Sequence, residues 1–226
     1  YERFMVLNEI NNLKVNGVPI SVEAKQDIYQ LFTQKRKVTR KAMEAFLLSN
    51  GWIERGDVVS GVDVTVKSAL TSQHDFQSLL ERKILTQDEV ERIIEHLTYT
   101  ADQKRSWKWL QEQFPQLEMQ DIKYVAKLKY EEFGRFSREF LVGLLGVNKE
   151  TGEQNSIIGF LWETNDNLMQ LLSNRYTFVE EVERRRKEYY KESGARLEDL
   201  LDDMQVSSLV KRPIYRTLDI VRDVCK

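Results

Sequence analysis

Apolar positions recur at three- and four-residue intervals along most of the chain, which is the period of an amphipathic helix. Ser21 opens a segment whose Val22, Ile28, Leu31 and Phe32 form one stripe; Thr39 opens another with Ala42, Phe46 and Leu47, closed by Asn50-Gly51. A hydroxyl at such a start accepts from free helix N–H groups, and Asn-Gly supplies a stop. Thr86 with Glu89 makes a capping box ahead of Val90, Ile93, Ile94 and Leu97, and Thr177 with Glu180 makes a second ahead of Val182. Residues 102–114 read as a helix ended by Pro115, and Ser137 begins one predicted to run through Phe140, Leu141 and Leu144 to Gly146. The loop VNKETGEQNS then leads to Ser156 and the apolar IIGFLW. Only VVSGVDVTVKSAL, 58–70, is β-branched enough to read as extended or irregular. The pattern predicts an all-α protein: an irregular multi-helix bundle with at most a short extended segment near residues 58–70.

One stretch departs from simple amphipathicity. In ETNDNLMQLLSNRYTF, 163–178, Leu168, Leu171 and Leu172 stand at helical spacing, with Asn165, Asn167, Met169, Gln170 and Asn174 around them. A run of uncharged amides is unexpected in a chain that is 31% charged.

Composition narrows the class. With 226 residues, 41% of them hydrophobic, the chain can fill a core. Three prolines and ten glycines interrupt it sparsely, which favours helix. A single cysteine, Cys225, permits no internal disulfide and suits a reducing compartment, so the cytoplasm is the expected location. No apolar run approaches the ~20 residues of a membrane span. Tyr1-Glu2-Arg3-Phe4-Met5 already reads as the inside of a helix, so the natural protein is expected to extend further at this end.

The formal net charge of −2 argues against coating nucleic acid by bulk attraction. Locally the balance differs. Lys35, Arg36, Lys37, Arg40 and Lys41 face only Glu44, and Lys123, Lys127, Lys129, Arg135 and Arg138 outnumber Glu131 and Glu132. Acid concentrates in LEDLLDD, 197–203, after the mixed run EVERRRKEYYKE at 181–192. Each such run can be a solvated helix face; two basic segments in an acidic chain also suit a basic groove.

Catalytic chemistry finds no footing. His74 and His96 lack cysteine or histidine partners at zinc-ligand spacing, and no phosphate-binding glycine loop is present, Gly61 standing without the glycine partners one needs. Asp202 and Asp203 are adjacent, so on a helix they diverge by about 100°. Trp52, Trp107, Trp109 and Trp162 read as core anchors ahead of base-stacking platforms.

Three segments in order, YEEFGRFSREFL (130–141), IIGFLWETNDNLMQLL (157–172) and SSLVKRPIYRTLDIVRDV (207–224), resemble the end of the recognition lobe of type II CRISPR RNA-guided DNA endonucleases. The family carries a GRxSR element, an N-x-N-x-M-Q-L element, a T-F helix and a segment leading toward a nuclease strand. Upstream, YERFMVLNEINNL resembles its Y-x-x-F-x-x-x-N-E-[LI] helix, and SGVDVTVKSALTSQHD its I-S-G-V stretch ending in H-D. The resemblance spans nearly the whole chain. It implies a third recognition-lobe domain, residues 1–200, followed by a connecting segment, 201–226, toward the nuclease core.

That resemblance implies a non-catalytic domain that binds the PAM-distal guide RNA–target DNA heteroduplex and licenses nuclease activation. Asn and Gln suit the task, since they bond phosphate and sugar oxygens without long-range attraction. By resemblance Asn167, Met169 and Gln170 face the heteroduplex, Arg135 contacts a phosphate, and Tyr1 matches a duplex-facing tyrosine. Lys127, Lys129 and Arg138, with Phe133 at the family's tryptophan position, complete the candidate set. Core packing of Met169, and an ion pair of Arg135 with Glu131 or Glu132, are the competing readings. The sequence departs from the family where Asn12 replaces a basic residue, Ser173 a histidine found in some members, and Ser208 a proline. The implied partners are the heteroduplex and other domains of the same bacterial endonuclease. No cofactor is expected in this chain, the magnesium for cleavage belonging elsewhere. The alternative is a helical protein-interaction module, including a docking surface for an anti-CRISPR inhibitor protein.

Overall fold

The computed structural model describes residues 1–100, 102–130, 136–192 and 208–224. They form two compact units, Tyr1–Phe178 and Val179–Lys226. Helix dominates both, as the apolar period predicts.

The first unit opens with α1 (Glu2–Ile10), which buries Phe4, Val6, Leu7 and Ile10. Strands β1 (Lys14–Val15) and β2 (Val18–Pro19) follow as a hairpin. Its turn, Asn16-Gly17, has positive φ at both residues, 52° and 84°, the backbone that matches the twist of paired strands. Helices α2 (Val22–Gln34) and α3 (Arg40–Ser49) start at Ser21 and Thr39, whose side chains accept from Ala24 and Ala42 N–H as their sequence positions predict. Strand β3 (Val59–Ser60) pairs antiparallel with β1, in the register Val15 to Val59, within the predicted extended segment.

Helices α4 (Thr71–Glu81), α5 (Gln87–Tyr99), α6 (Gln103–Gln113) and α7 (Met119–Val125) follow. The capping box of Thr86 and Glu89 starts α5, and Asp102 caps α6, which ends before Pro115. Helix α4 has no side-chain cap of its own at Leu70. Instead the Glu2 carboxylate accepts from Ser72 N–H at 2.9 Å and from its hydroxyl at 2.6 Å, placing an acid at the positive end of the helix.

The helix expected from Ser137 to Gly146 is corrected. The structure has one π-helical turn, Glu139–Gly143, then β4 (Leu145–Val147) paired with β5 (Gln154–Ser156). Gly146 is a strand residue here. A Cβ on it would come within 2.7 Å of the Phe178 ring, so glycine serves close packing instead of ending a helix. Helices α8 (Ile157–Glu163) and α9 (Leu168–Leu171) complete this unit up to the first residue of α10 (Phe178–Glu192). The hydroxyl of Thr177, just before α10, accepts from Val147 N–H at 2.8 Å.

Two apolar cores result. The larger gathers α1, α2, α3, α8 and α9, with Phe160 edge-on to Tyr176 (5.0 Å) and Phe178 (5.9 Å). The smaller gathers α4 to α7 around Phe76, Ile93, Leu110 and Phe114. Polar contacts join them. Arg36, after α2, ion-pairs with Asp75 on α4, and a His74 ring nitrogen lies 2.9 Å from the Phe32 carbonyl oxygen.

In the second unit Arg184 of α10 bridges Glu181 and Glu188, one turn on either side, holding the Glu181 carboxyl down at about 2. Helix α11 (Ser208–Val224) contains Pro213 and exposes Ile220 and Val221.

Candidate nucleic-acid interface

The amide run takes its shape from α8. Ser156 caps the start of this helix by accepting from Gly159 N–H at 3.1 Å. Its last carbonyls have no partner within the helix. Two side chains from the first third of the chain supply donors. Lys25 Nζ donates to the Leu161 carbonyl at 2.8 Å and to that of Thr164; Asn11 Nδ2 donates to Leu161 at 3.0 Å and to the Asp166 carbonyl at 2.6 Å. Lys25 is fully buried, and burial pushes its ammonium down to about 8 while the Asp166 charge opposes the shift. A cation at the C-terminal end of α8 also offsets the negative pole of that helix.

Helix α9 has four residues, too few to persist alone. Asn167 and Gln170 stabilise it reciprocally: Asn167 Oδ1 accepts from Gln170 N–H at 3.1 Å, and Gln170 Oε1 accepts from Asn167 N–H at 2.8 Å. Helix α1 supplies the rest. Asn8 Oδ1 accepts from Leu168 N–H at 2.7 Å, and Asn12 Oδ1 accepts from Asn167 Nδ2 at 2.9 Å. Asn165 Nδ2 donates to the Ile20 carbonyl at 2.5 Å, and Asp166 accepts from the Tyr176 hydroxyl at 2.5 Å. Burial, then that hydrogen bond, pushes the Tyr176 phenol up to about 12. The neutral amide bonds among these contribute about 1 kcal/mol each.

The unusual amides therefore fold a turn. Leu171 is buried beneath it, while Met169 is 78% exposed and Gln170 is exposed beside it. Core packing of Met169, the competing reading of the sequence, does not occur.

The other end of α1 carries Tyr1, whose ring lies 6.2 Å from that of Phe4. Phe136 meets Phe4 edge-on at 5.3 Å and stacks on Phe140 at 5.2 Å. Arg138, 79% exposed in its side chain, pairs with Glu91 of α5 at 3.0 Å. Such an exposed pair contributes at most about 1 kcal/mol and yields readily to a stronger anion. At ~1.5 Å per residue, α1 sets Tyr1 roughly 15 Å from Asn12 and the α9 turn.

Lys127 and Lys129 are exposed in the stretch after α7, which ends at buried Tyr130. The Tyr130 hydroxyl donates to Asp75 at 3.1 Å, and Asp75 also takes Arg36, so the two basic segments of the sequence meet at one buried carboxylate. Burial pushes the Tyr130 phenol well up, helped by the Asp75 charge. Phe133 and Arg135 lie outside the described residues, as do Glu131 and Glu132, the acidic stretch 197–203 and Cys225.

Three tryptophans, Trp107, Trp109 and Trp162, pack partly buried against the two cores. Trp109 stacks on His96 at 3.9 Å, and Arg3 lies 5.4 Å over the Trp162 ring. Trp52 is more exposed and donates its indole N–H to Asp27 at 2.8 Å. Among the described residues no group of three or more His, Cys, Asp and Glu could hold a metal ion, and no helix is long and apolar enough to cross a membrane.

This is the architecture of a helical recognition domain, with an amide-locked turn at one end of a buried helix and aromatic and basic side chains at the other. The chain belongs to the family described as the REC lobe of CRISPR-associated endonuclease Cas9, whose model matches residues 1–185. It is 25% identical over 240 residues to the CRISPR-associated endonuclease Cas9 of Listeria innocua serovar 6a, covering 99% of this chain and 17% of that protein. It is 27% identical over 243 residues to the CRISPR-associated endonuclease Cas9 of Streptococcus mutans serotype c, covering 100% of this chain and 18% of that protein. The chain thus spans less than a fifth of the length of these relatives.

Asn8, Asn11, Lys25 and Asp75 escaped the sequence reading. Their types were visible: amides at 8, 11 and 12, and a lysine within an apolar stripe. Their partners lie up to 160 positions away, beyond any local pattern.

Proposed function

We propose that this chain is a non-catalytic domain of a CRISPR RNA-guided DNA endonuclease that binds the PAM-distal guide RNA–target DNA heteroduplex and licenses nuclease activation. The domain occupies residues 1–200, and residues 201–226 lead toward the nuclease core. The observation that carries this reading is Met169, a large apolar side chain held 78% exposed beside Gln170 on an amide-locked turn, within a chain of the recognition-lobe family. An apolar side chain flanked by amides suits contact with sugars and backbone, where shape is read and base pairing carries the sequence. Tyr1, Lys127, Lys129 and Arg138 extend the same contact, with Arg135 and Phe133 of the GRxSR region. Magnesium for cleavage is held by other domains, and no step here passes through it.

Competition binding tests the reading. An RNA–DNA hybrid or double-stranded RNA should displace a labelled hybrid from the chain far better than B-form DNA, with affinity falling as salt rises. Equal competition by B-form DNA overturns shape recognition. No binding of the labelled hybrid, together with binding of an anti-CRISPR inhibitor protein, selects the protein-interaction module.

A further inference from the structure

We propose that Asn8 and Asn12 are positioning residues that set the α9 turn so that Met169 and Gln170 face the hybrid. The inference rests on the hybrid-binding reading above and adds what fixes that surface in place.

Asn8 and Asn12 stand one turn apart on α1 and its C-terminal extension, so their side chains leave the same side of the helix. Asn8 Oδ1 occupies Leu168 N–H at 2.7 Å, a donor that the first position of any helix leaves free. Asn12 Oδ1 holds the side-chain amide of Asn167, the residue that caps α9. Asn12 is itself oriented twice. Its Nδ2 donates to the Asn8 carbonyl at 3.0 Å, and its own carbonyl abuts Gly61 so closely that a Cβ there would lie 1.7 Å from the oxygen.

The two asparagines leave the core to others. Phe4, Leu7 and Ile10 bury α1, while both amides are only half-buried. Their loss frees the turn before it frees the helix. Without them Leu168, Leu171 and Leu172 still favour burial and Asn11 still holds the Asp166 carbonyl, but no side chain from α1 or its extension bonds to α9 or to its capping residue. Met169 then loses its fixed outward direction.

The test uses the whole chain with methyl-labelled methionine, Met169 being assigned by Met169→Ala and the fully buried Met43 serving as reference. Asn8→Leu should move or broaden the Met169 methyl resonance and leave Met43 in place. It should also weaken RNA–DNA hybrid binding about fivefold, comparably to Met169→Ala. Asn12→Leu should give the same pattern. Asn8→Asp keeps the acceptor and should restore the Met169 resonance; affinity is not the readout for that variant, since an added negative charge itself repels phosphate.

An unmoved Met169 resonance in Asn8→Leu overturns the proposal, and so does a shift of Met43 alongside it, which makes Asn8 a folding residue only. Failure of Asn8→Asp to restore the resonance overturns the acceptor role. If Met169 moves alone, yet neither Asn8→Leu nor Met169→Ala changes hybrid affinity, the positioning stands and the hybrid-binding reading falls.

Discussion

Lys25 on α2 places its ammonium nitrogen 2.8 Å from the carbonyl oxygen of Leu161, 136 positions further along the chain. A fully buried lysine thereby completes the end of α8, and with Asn11 it fixes where the amide run begins. The arrangement is costly, because burial disfavours the charged form. It persists because the carbonyls it satisfies are themselves buried groups that need donors.

Lys25→Met should therefore lower stability by about 1–2 kcal/mol at pH 7, leaving the Thr164 carbonyl without this donor. The pH dependence carries a sign. The unfolded chain holds the Lys25 proton to about pH 10.4 and the folded chain to about 8. Between those values unfolding takes up a proton, so the parent should gain stability relative to Lys25→Met as pH rises through the window. Below about pH 8 the difference should be flat. Urea unfolding of both proteins from pH 7 to 10 measures it; a difference that shrinks above pH 8 would show that the carbonyls hold the ammonium more strongly than burial opposes it.

Asp75 supplies a second prediction. Its side chain is 6% exposed and meets both the Tyr130 hydroxyl and the guanidinium of Arg36, which is 54% exposed. Asp75→Ala strands a buried phenol, whereas Arg36→Ala removes a group that water can replace. The first should cost about 2–3 kcal/mol and the second about 1 kcal/mol or less. Denaturant midpoints at constant m-value decide the order, and equal losses would mean that the ion pair to Arg36, and not the buried phenol, carries the contribution of Asp75.

Gly61→Ala gives a third. Gly61 has φ of +89°, and a Cβ would strike the Asn12 backbone carbonyl, an atom that cannot rotate away. Strain and overlap together should destabilise by at least about 2 kcal/mol. Thermal unfolding checks the loss, and the Asn167 side-chain amide resonances should shift with it because Asn12 bonds to them. A neutral substitution would mean that the loop slides off α1 at little cost.

The difference between what was legible and what was not follows from range. Ser21, Thr39, Thr86, Asp102 and Ser156 act within three residues of themselves, so the starts of α2, α3, α5, α6 and α8 stand in the sequence. Ser137 to Gly146 carries the same local pattern, yet Leu145–Val147 pairs with Gln154–Ser156, and Phe178 packs on Gly146 from 32 positions away. Tertiary pairing overrides propensity there. The hairpin at 14–19 rested on Asn16-Gly17, a turn signature among residues too few and too exposed to show alternation. At the candidate surface, residue type alone marks Asn167, Met169 and Gln170 as unusual in so charged a chain. Only coordinates show that two of them bond to each other and the third stands free of the core.

That distinction shapes the last prediction. In the full-length endonuclease, Asn167→Ala with Gln170→Ala removes no net charge but deletes the capping box, worth about 2 kcal/mol across both bonds. Met169→Ala removes exposed apolar surface and leaves the cap intact. If the turn grips the PAM-distal hybrid, both variants should cleave a perfectly matched target almost normally, where binding energy is in surplus. Targets mismatched at the distal end should suffer, raising the ratio of matched to mismatched single-turnover rates by roughly tenfold, because a weakened grip leaves those complexes short of the conformational switch. Stability separates the two variants. In the isolated chain the double substitution should lower Tm by about 4–8 °C and Met169→Ala by almost nothing. A raised ratio for Met169→Ala at unchanged Tm therefore locates discrimination at the exposed side chain, with the amides acting through its placement. A lowered Tm for the double variant, with the ratio unmoved in both, would mean that the amides fold a turn that takes no part in sensing the duplex.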